Sequence, residues 1–103
     1  MDKGNEEQGD DSALKSNKRS RKSSSELYDE EERKFLRRIG RRIAGLRVER
    51  DLSQVALAAK AGINRSYLGF IEIGDRNPHL LSLRKIARAL NVPVCELTRI
   101  DES

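Results

Sequence analysis

A chain of 103 residues has room for one small core, because short chains bury a smaller fraction of their surface than long ones. Charged residues make up 37 % and aromatic residues 4 %, with no tryptophan and a formal net charge of +4, so an aliphatic core of packed helices is expected rather than a sheet. One cysteine, Cys95, and one histidine exclude a disulfide framework and a Cys/His zinc site; with no apolar run of membrane-spanning length and no secretory signal pattern, a cytoplasmic chain with no membrane partner is expected.

In chain order, residues 1–28 read as a disordered charged arm. They lack hydrophobic periodicity, and a segment so rich in Lys, Ser, Asp and Glu cannot bury enough apolar surface to offset the entropy of ordering. Charge within it is segregated: Met1 to Leu14 holds five acids and one base, and Lys15 to Ser25 holds five bases and no acid. Residues 29–103 read as the folded domain. Asp29 and Glu32 form a D-x-x-E capping pattern, and Phe35, Ile39, Ile43 and Leu46 recur at helical spacing, which predicts a first helix over about 30–50. Arg33 to Arg50 carries eight bases against the single Glu49, and this organisation suits a polyanionic partner.

Ser53 is a good N-cap for a second, short helix with Leu57, Ala58 and Ala61 inward, and Gly62 stands where a left-handed residue would end it. Asn64 caps a third helix whose buried stripe is Leu68 and Ile71, followed by Gly74 and the turn Asp75-Arg76-Asn77-Pro78. Leu80, Leu83, Ile86, Ala87 and Leu90 predict a fourth helix over about 80–90, ended by Asn91. A fifth, about 93–98, begins with Pro93 in its first turn and presents Val94 and Leu97.

The segment SQVALAAKAGINRSYLGFIEIG meets the demands of a helix-turn-helix, which needs two short helices crossing through a tight turn with the second free of the core on one side. Small Ala58 and Ala59 permit close approach, Gly62 makes the turn and Ile63 plugs it from below. On the third helix Leu68 and Ile71 point one way, while Ser66, Gly69 and Phe70 point away and Arg65 stands at the exposed N-terminal end.

The ordered combination of LRxxR, LSQ, LAxKAGI, RSYLxxIExG, RNP and IARALNV over about Phe35 to Ile100 closely resembles the Cro/repressor-type, or XRE, helix-turn-helix family. The NRSYL and RNP pieces are also similar to the controller proteins of restriction–modification systems. The resemblance implies an all-α, five-helix, lambda-repressor-like domain that binds double-stranded DNA as a homodimer and regulates transcription, as a repressor or autoregulator. It places Arg65, Ser66, Gly69 and Phe70 at base-facing positions, and Ser53, Gln54, Asn64, Tyr67, Arg76 and Asn77 on the sugar-phosphate backbone. Gln54 is expected to brace the recognition helix as well, and Arg47 and Glu72 to form a structural ion pair between the first and third helices. A guanidinium can bond guanine O6 and N7 together, which makes Arg65 the strongest candidate for direct readout.

Gly69 and Phe70 depart from the family, whose members commonly carry polar side chains there. Gly69 is read as allowing close approach to the groove. For Phe70 two placements stay open: on a thymine methyl, or against the partner protomer or the first helix. The basic run Lys15 to Lys22 is expected to track DNA electrostatically, and Arg41 or Arg42 to touch phosphate. His79 is read as a surface or phosphate contact and Cys95 as a buried structural thiol. Leu81, Val94 and Leu97 are candidates for an apolar patch between protomers. The chain lacks a paired nucleophile and base, a metal-ligand cluster and a phosphate-binding glycine loop, so no enzyme, cofactor or small-molecule ligand is expected. The alternative function is an antitoxin-type interaction module that autoregulates through the same helix-turn-helix.

Overall fold

The computed structural model describes residues 27–101, and the expected disordered arm, apart from Leu27 and Tyr28, lies outside the described residues. Five helices follow in chain order: α1 (Glu30–Glu49), α2 (Gln54–Ala61), α3 (Arg65–Glu72), α4 (Leu80–Leu90) and α5 (Val94–Leu97), with no strand among the described residues. α1 packs on α3 and α5, α2 packs on α3 and α4, and α4 packs on α5.

Each helix begins and ends where local chemistry dictates. At the head of α1 the full capping box forms, with Glu32 N–H donating to Asp29 Oδ1 at 2.8 Å and Asp29 N–H donating to Glu32 Oε1 at 3.0 Å. Ser53 Oγ accepts from Ala56 N–H at 3.0 Å. Gly62, at φ 72°, takes the left-handed conformation that ends α2. Asn91 ends α4 at φ 62°, a position asparagine tolerates better than most residues. Pro93 is the N-cap of α5 and not part of its first turn, one position earlier than the sequence reading placed it.

The core is aliphatic as expected: Ile39, Ile43, Leu46, Leu57, Ala58, Ala61, Leu68, Ile71, Ile86, Ala87, Leu90 and Leu97 form one buried cluster, with Ile63 packed against it. The structure corrects several face assignments. In α1 the inward residue of the second turn is Leu36, and Phe35 is 38 % exposed. At about 100° per residue, Leu36, Ile39, Gly40, Ile43 and Leu46 share an arc of roughly 120°, and Phe35 lies about 20° beyond its edge. Leu80 is exposed although it continues the α4 stripe, because the first turn of α4, with both Leu80 and Leu81, stands clear of the core. Ala59 is exposed, which leaves Ala58 alone to permit close helix approach. Cys95 is exposed, and the structural-thiol reading fails because it is Leu97 that α5 turns inward. The patch expected from Leu81, Val94 and Leu97 does not form as read, since Leu97 is wholly buried.

Two glycines set the crossing of α1 with the end of α3. A Cβ on Gly40 would fall far inside van der Waals contact of the carbonyl oxygens of Ile71 and Glu72. A Cβ on Gly74, at φ 81°, would lie 2.7 Å from Arg37 Cα. The backbones therefore approach without intervening side chains, and this fixes where α3 stands on the domain.

Candidate nucleic-acid interface

α3 is built to show one face. Asn64 Oδ1 accepts from Ser66 N–H at 2.8 Å and Tyr67 N–H at 3.2 Å, satisfying donors that the first turn leaves without partners. Leu68 and Ile71 are buried, while Arg65, Ser66 and Phe70 are exposed and Gly69 is half-buried. Projected at about 100° per residue, Arg65, Gly69, Ser66 and Phe70 span an arc of roughly 140° on the side opposite the buried arc. The four expected base-facing residues thus share one face, and among the described residues no salt bridge engages Arg65 at its N-terminal end.

Behind that face lies a charged linkage. Arg47 grips Glu72 with two bonds, Nε to Oε2 at 2.7 Å and Nη2 to Oε1 at 3.0 Å, and its Nη1 donates to the Leu52 carbonyl at 2.9 Å. Glu72 is 7 % exposed. The hydrogen bond that Arg47 donates to Glu72 raises the Arg47 pKa above its already high ordinary value, outweighing the opposing cost of burial. Gln54 completes the group: its Nε2 donates to Glu72 Oε1 at 2.9 Å. The same side chain covers Gly69, whose hypothetical Cβ would lie 3.6 Å from Gln54 Oε1. One amide from the first turn of α2 therefore meets both the carboxylate at the end of α3 and the bare backbone in its middle, which is the bracing geometry expected of Gln54.

The remaining backbone candidates are spread around the rim. Ser53 and Asn64 are exposed at helix N-termini, with their oxygens engaged in capping, so Asn64 has only its NH2 donors left for a phosphate. Tyr67 is half-buried; its hydroxyl donates to Ser82 Oγ at 3.3 Å and accepts from His79 N–H at 3.3 Å, linking α3 to the start of α4. His79, the N-cap of α4, makes no side-chain capping bond and is exposed. Arg76 and Asn77 are both exposed. Arg76 lies over the ring of Phe70, 4.6 Å from its centroid, while Asn77 lines a surface cleft with Tyr28, Glu31, Glu32, Phe35 and Leu36. Arg42 is committed elsewhere: it pairs with Glu96 at 2.7 Å and donates from Nε to the Glu96 carbonyl at 2.8 Å, tying α1 to α5, which leaves Arg41 as the exposed member of that doublet.

Sequence reasoning missed two residues that position the site, Gly40 and Arg50, and one contact of a third, Arg76. Gly40 admits α3 to α1. Arg50, beyond the end of α1, donates to the Leu90 carbonyl at 2.7 Å and joins α1 to the end of α4. Arg76 is held by Phe70 as well as facing outward. A glycine within the apolar stripe of α1 was a legible signal for the first; nothing in the spacing marked the other two. Among the described residues no helix is long and apolar enough to cross a membrane, and no cluster of potential metal ligands occurs.

The profile of the helix-turn-helix family (HTH_3) matches residues 43–97, from the middle of α1 through α5. The chain is 48 % identical over 56 residues to the immunity repressor protein of Bacillus phage phi105, a match covering 54 % of this chain and 39 % of that one. It is 41 % identical over 61 residues to the control protein C.MunI of a Mycoplasma species, covering 58 % of this chain and 82 % of the relative. Among solved structures it is similar to the restriction–modification controller protein C.AhdI from Aeromonas hydrophila, with a TM-score of 0.60, 42 % identity, and coverage of 60 % of this chain and 94 % of that one. The chain therefore belongs to the helix-turn-helix (HTH_3) family of DNA-binding transcriptional regulators.

Proposed function

We propose that the chain reads a specific operator as a homodimer, with α3 in the major groove, and acts as a repressor or autoregulator. Arg65 takes a guanine edge, Ser66 a neighbouring base edge, and Gly69 lets the helix seat closely. Ser53, Gln54, Asn64, Tyr67, Arg76 and Asn77 hold the sugar-phosphate chain on either side. The observation that carries this reading is the outward arc of α3: Arg65, Ser66 and Phe70 exposed, with half-buried Gly69 between them, on a helix whose other face is locked into the core. A side chain sent to the groove from a rigid element keeps its geometry, and a guanidinium in that position discriminates a base by about 1–3 kcal/mol. The relatives named as a repressor and a control protein support the regulatory role.

Selection of bound duplexes from a random DNA pool tests the proposal. The expected result is a two-fold symmetric motif with half-sites about one helical turn, or ~34 Å, apart, with preference at one guanine lost in Arg65→Ala. Recovery of no motif, or of a motif untouched by Arg65→Ala, overturns it.

A further inference from the structure

The guanidinium of Arg76 lies over the face of Phe70, 4.6 Å from the ring centroid, on the exposed side of the α3 region. Phe70 is 38 % exposed, so it neither fills the core nor stands free. Arg76 follows the α3 C-cap Ile73 and the buried Gly74, and Asp75 N–H donates to the Phe70 carbonyl at 2.8 Å, folding the turn back over the last turn of α3. Ring and guanidinium are thus brought together by backbone geometry. Among the described residues no salt bridge engages Arg76. A planar guanidinium stacked on a ring keeps its N–H donors in its own plane, directed past the edge of the ring.

We propose that Phe70 is a positioning residue: it holds Arg76 flat beside the recognition helix so that the guanidinium meets one DNA phosphate with two parallel hydrogen bonds. This rests on the DNA-binding reading above and replaces both earlier placements of Phe70. The ring acts through Arg76 and not through a thymine methyl. An unstacked arginine at an exposed turn would lose rotamer freedom on binding; the stack removes part of that loss beforehand.

The test uses the full chain, the duplex that the wild-type protein selects from a random pool, and an unrelated duplex of equal length. Arg76→Ala is expected to weaken binding about tenfold or more on both duplexes and to reduce the slope of log K against log salt by about 1. Phe70→Leu is expected to weaken both by about two- to fivefold, with the salt slope moving in the same direction. Phe70→Trp, which keeps a ring, should restore most of the loss. In the double variant Phe70→Leu adds nothing to Arg76→Ala. In the DNA-free protein, Phe70→Leu should move the NMR signals of the Arg76 side chain downfield as the ring current disappears, which checks the stack independently of DNA. Multiplicative losses in the double variant overturn the proposal. So does a Phe70→Leu effect that vanishes when operator thymines are replaced by uracil, because the ring would then be reading a methyl group. If the wild-type protein selects no motif, the operator reading itself has failed. Selection of a motif together with a Phe70→Leu protein of unchanged affinity defeats only the positioning role.

Discussion

Glu72 is a charged residue at 7 % exposure, and its two carboxylate oxygens are engaged by Arg47 and Gln54. Glu72→Gln keeps the shape but leaves the Arg47 guanidinium, itself largely covered, without a counter-charge. The expected loss is about 3 kcal/mol, seen in calorimetry as a fall in Tm of roughly 12–24 °C for a domain of this size. Arg47 adds no pH dependence in the working range: its folded pKa is raised, so its contribution is complete below the already high unfolded value and fades only as pH climbs through the still higher folded one. Glu30 behaves in the opposite sense. Its hydrogen bond and attraction to Arg33 lower its carboxyl below the ordinary 4.5, so its contribution is present above that value and disappears as pH falls through the lowered one. Glu30 is exposed, and the effect is small and local. An NMR titration should show the Glu30 carboxyl returning toward 4.5 in Arg33→Ala.

At the scale of elements, two glycines with the same sequence signature have opposite structural meanings. Gly69 sits inside α3, where glycine costs helix stability relative to alanine, and a Cβ there meets only Gln54 Oε1 at 3.6 Å and Nε2 at 4.0 Å, both ordinary contacts. Gly69→Ala should therefore raise stability by up to about 1 kcal/mol in denaturant unfolding. If it also weakens operator binding, the constraint on that position comes from the groove and not from the fold. Gly40→Ala follows the same propensity argument but meets the carbonyls of Ile71 and Glu72, which cannot yield without moving α3. The expected outcome is a loss of about 1–3 kcal/mol. Because α3 would shift with it, a weaker, less selective operator complex is expected even at temperatures where the variant is fully folded.

For the whole molecule, electrostatics extend beyond the helical domain. The five bases of Lys15 to Lys22 lie N-terminal to a domain whose recognition face carries few polar groups, so charge contacts with phosphate are expected to supply much of the affinity. A chain beginning at Glu26 should bind its operator more weakly and with a shallower salt dependence, while the sequence preference is unchanged; affinities measured across a salt series check this. Equal slopes with and without the segment would confine the electrostatic contacts to residues of the helical domain.

The sequence by itself determined the helices, their caps and most of the inward stripe, because these depend on short-range chemistry. Asp29, Ser53, Asn64, Gly62 and Asn91 do at their own positions what their side chains and backbones favour anywhere. The exposed order Arg65, Ser66, Gly69, Phe70 also followed from helical periodicity once Leu68 and Ile71 were recognised as core. What only the tertiary structure decided depends on neighbours distant along the chain or on where a helix overhangs the core. Leu36 displaces Phe35 because α3 crosses α1 at Gly40, and Leu80 is exposed because α4 begins beyond the packed region. Arg42 is drawn from a phosphate role to Glu96, 54 residues away. Phe70 meets Arg76 only because the turn at Gly74 folds back over α3, a geometry that no periodicity encodes.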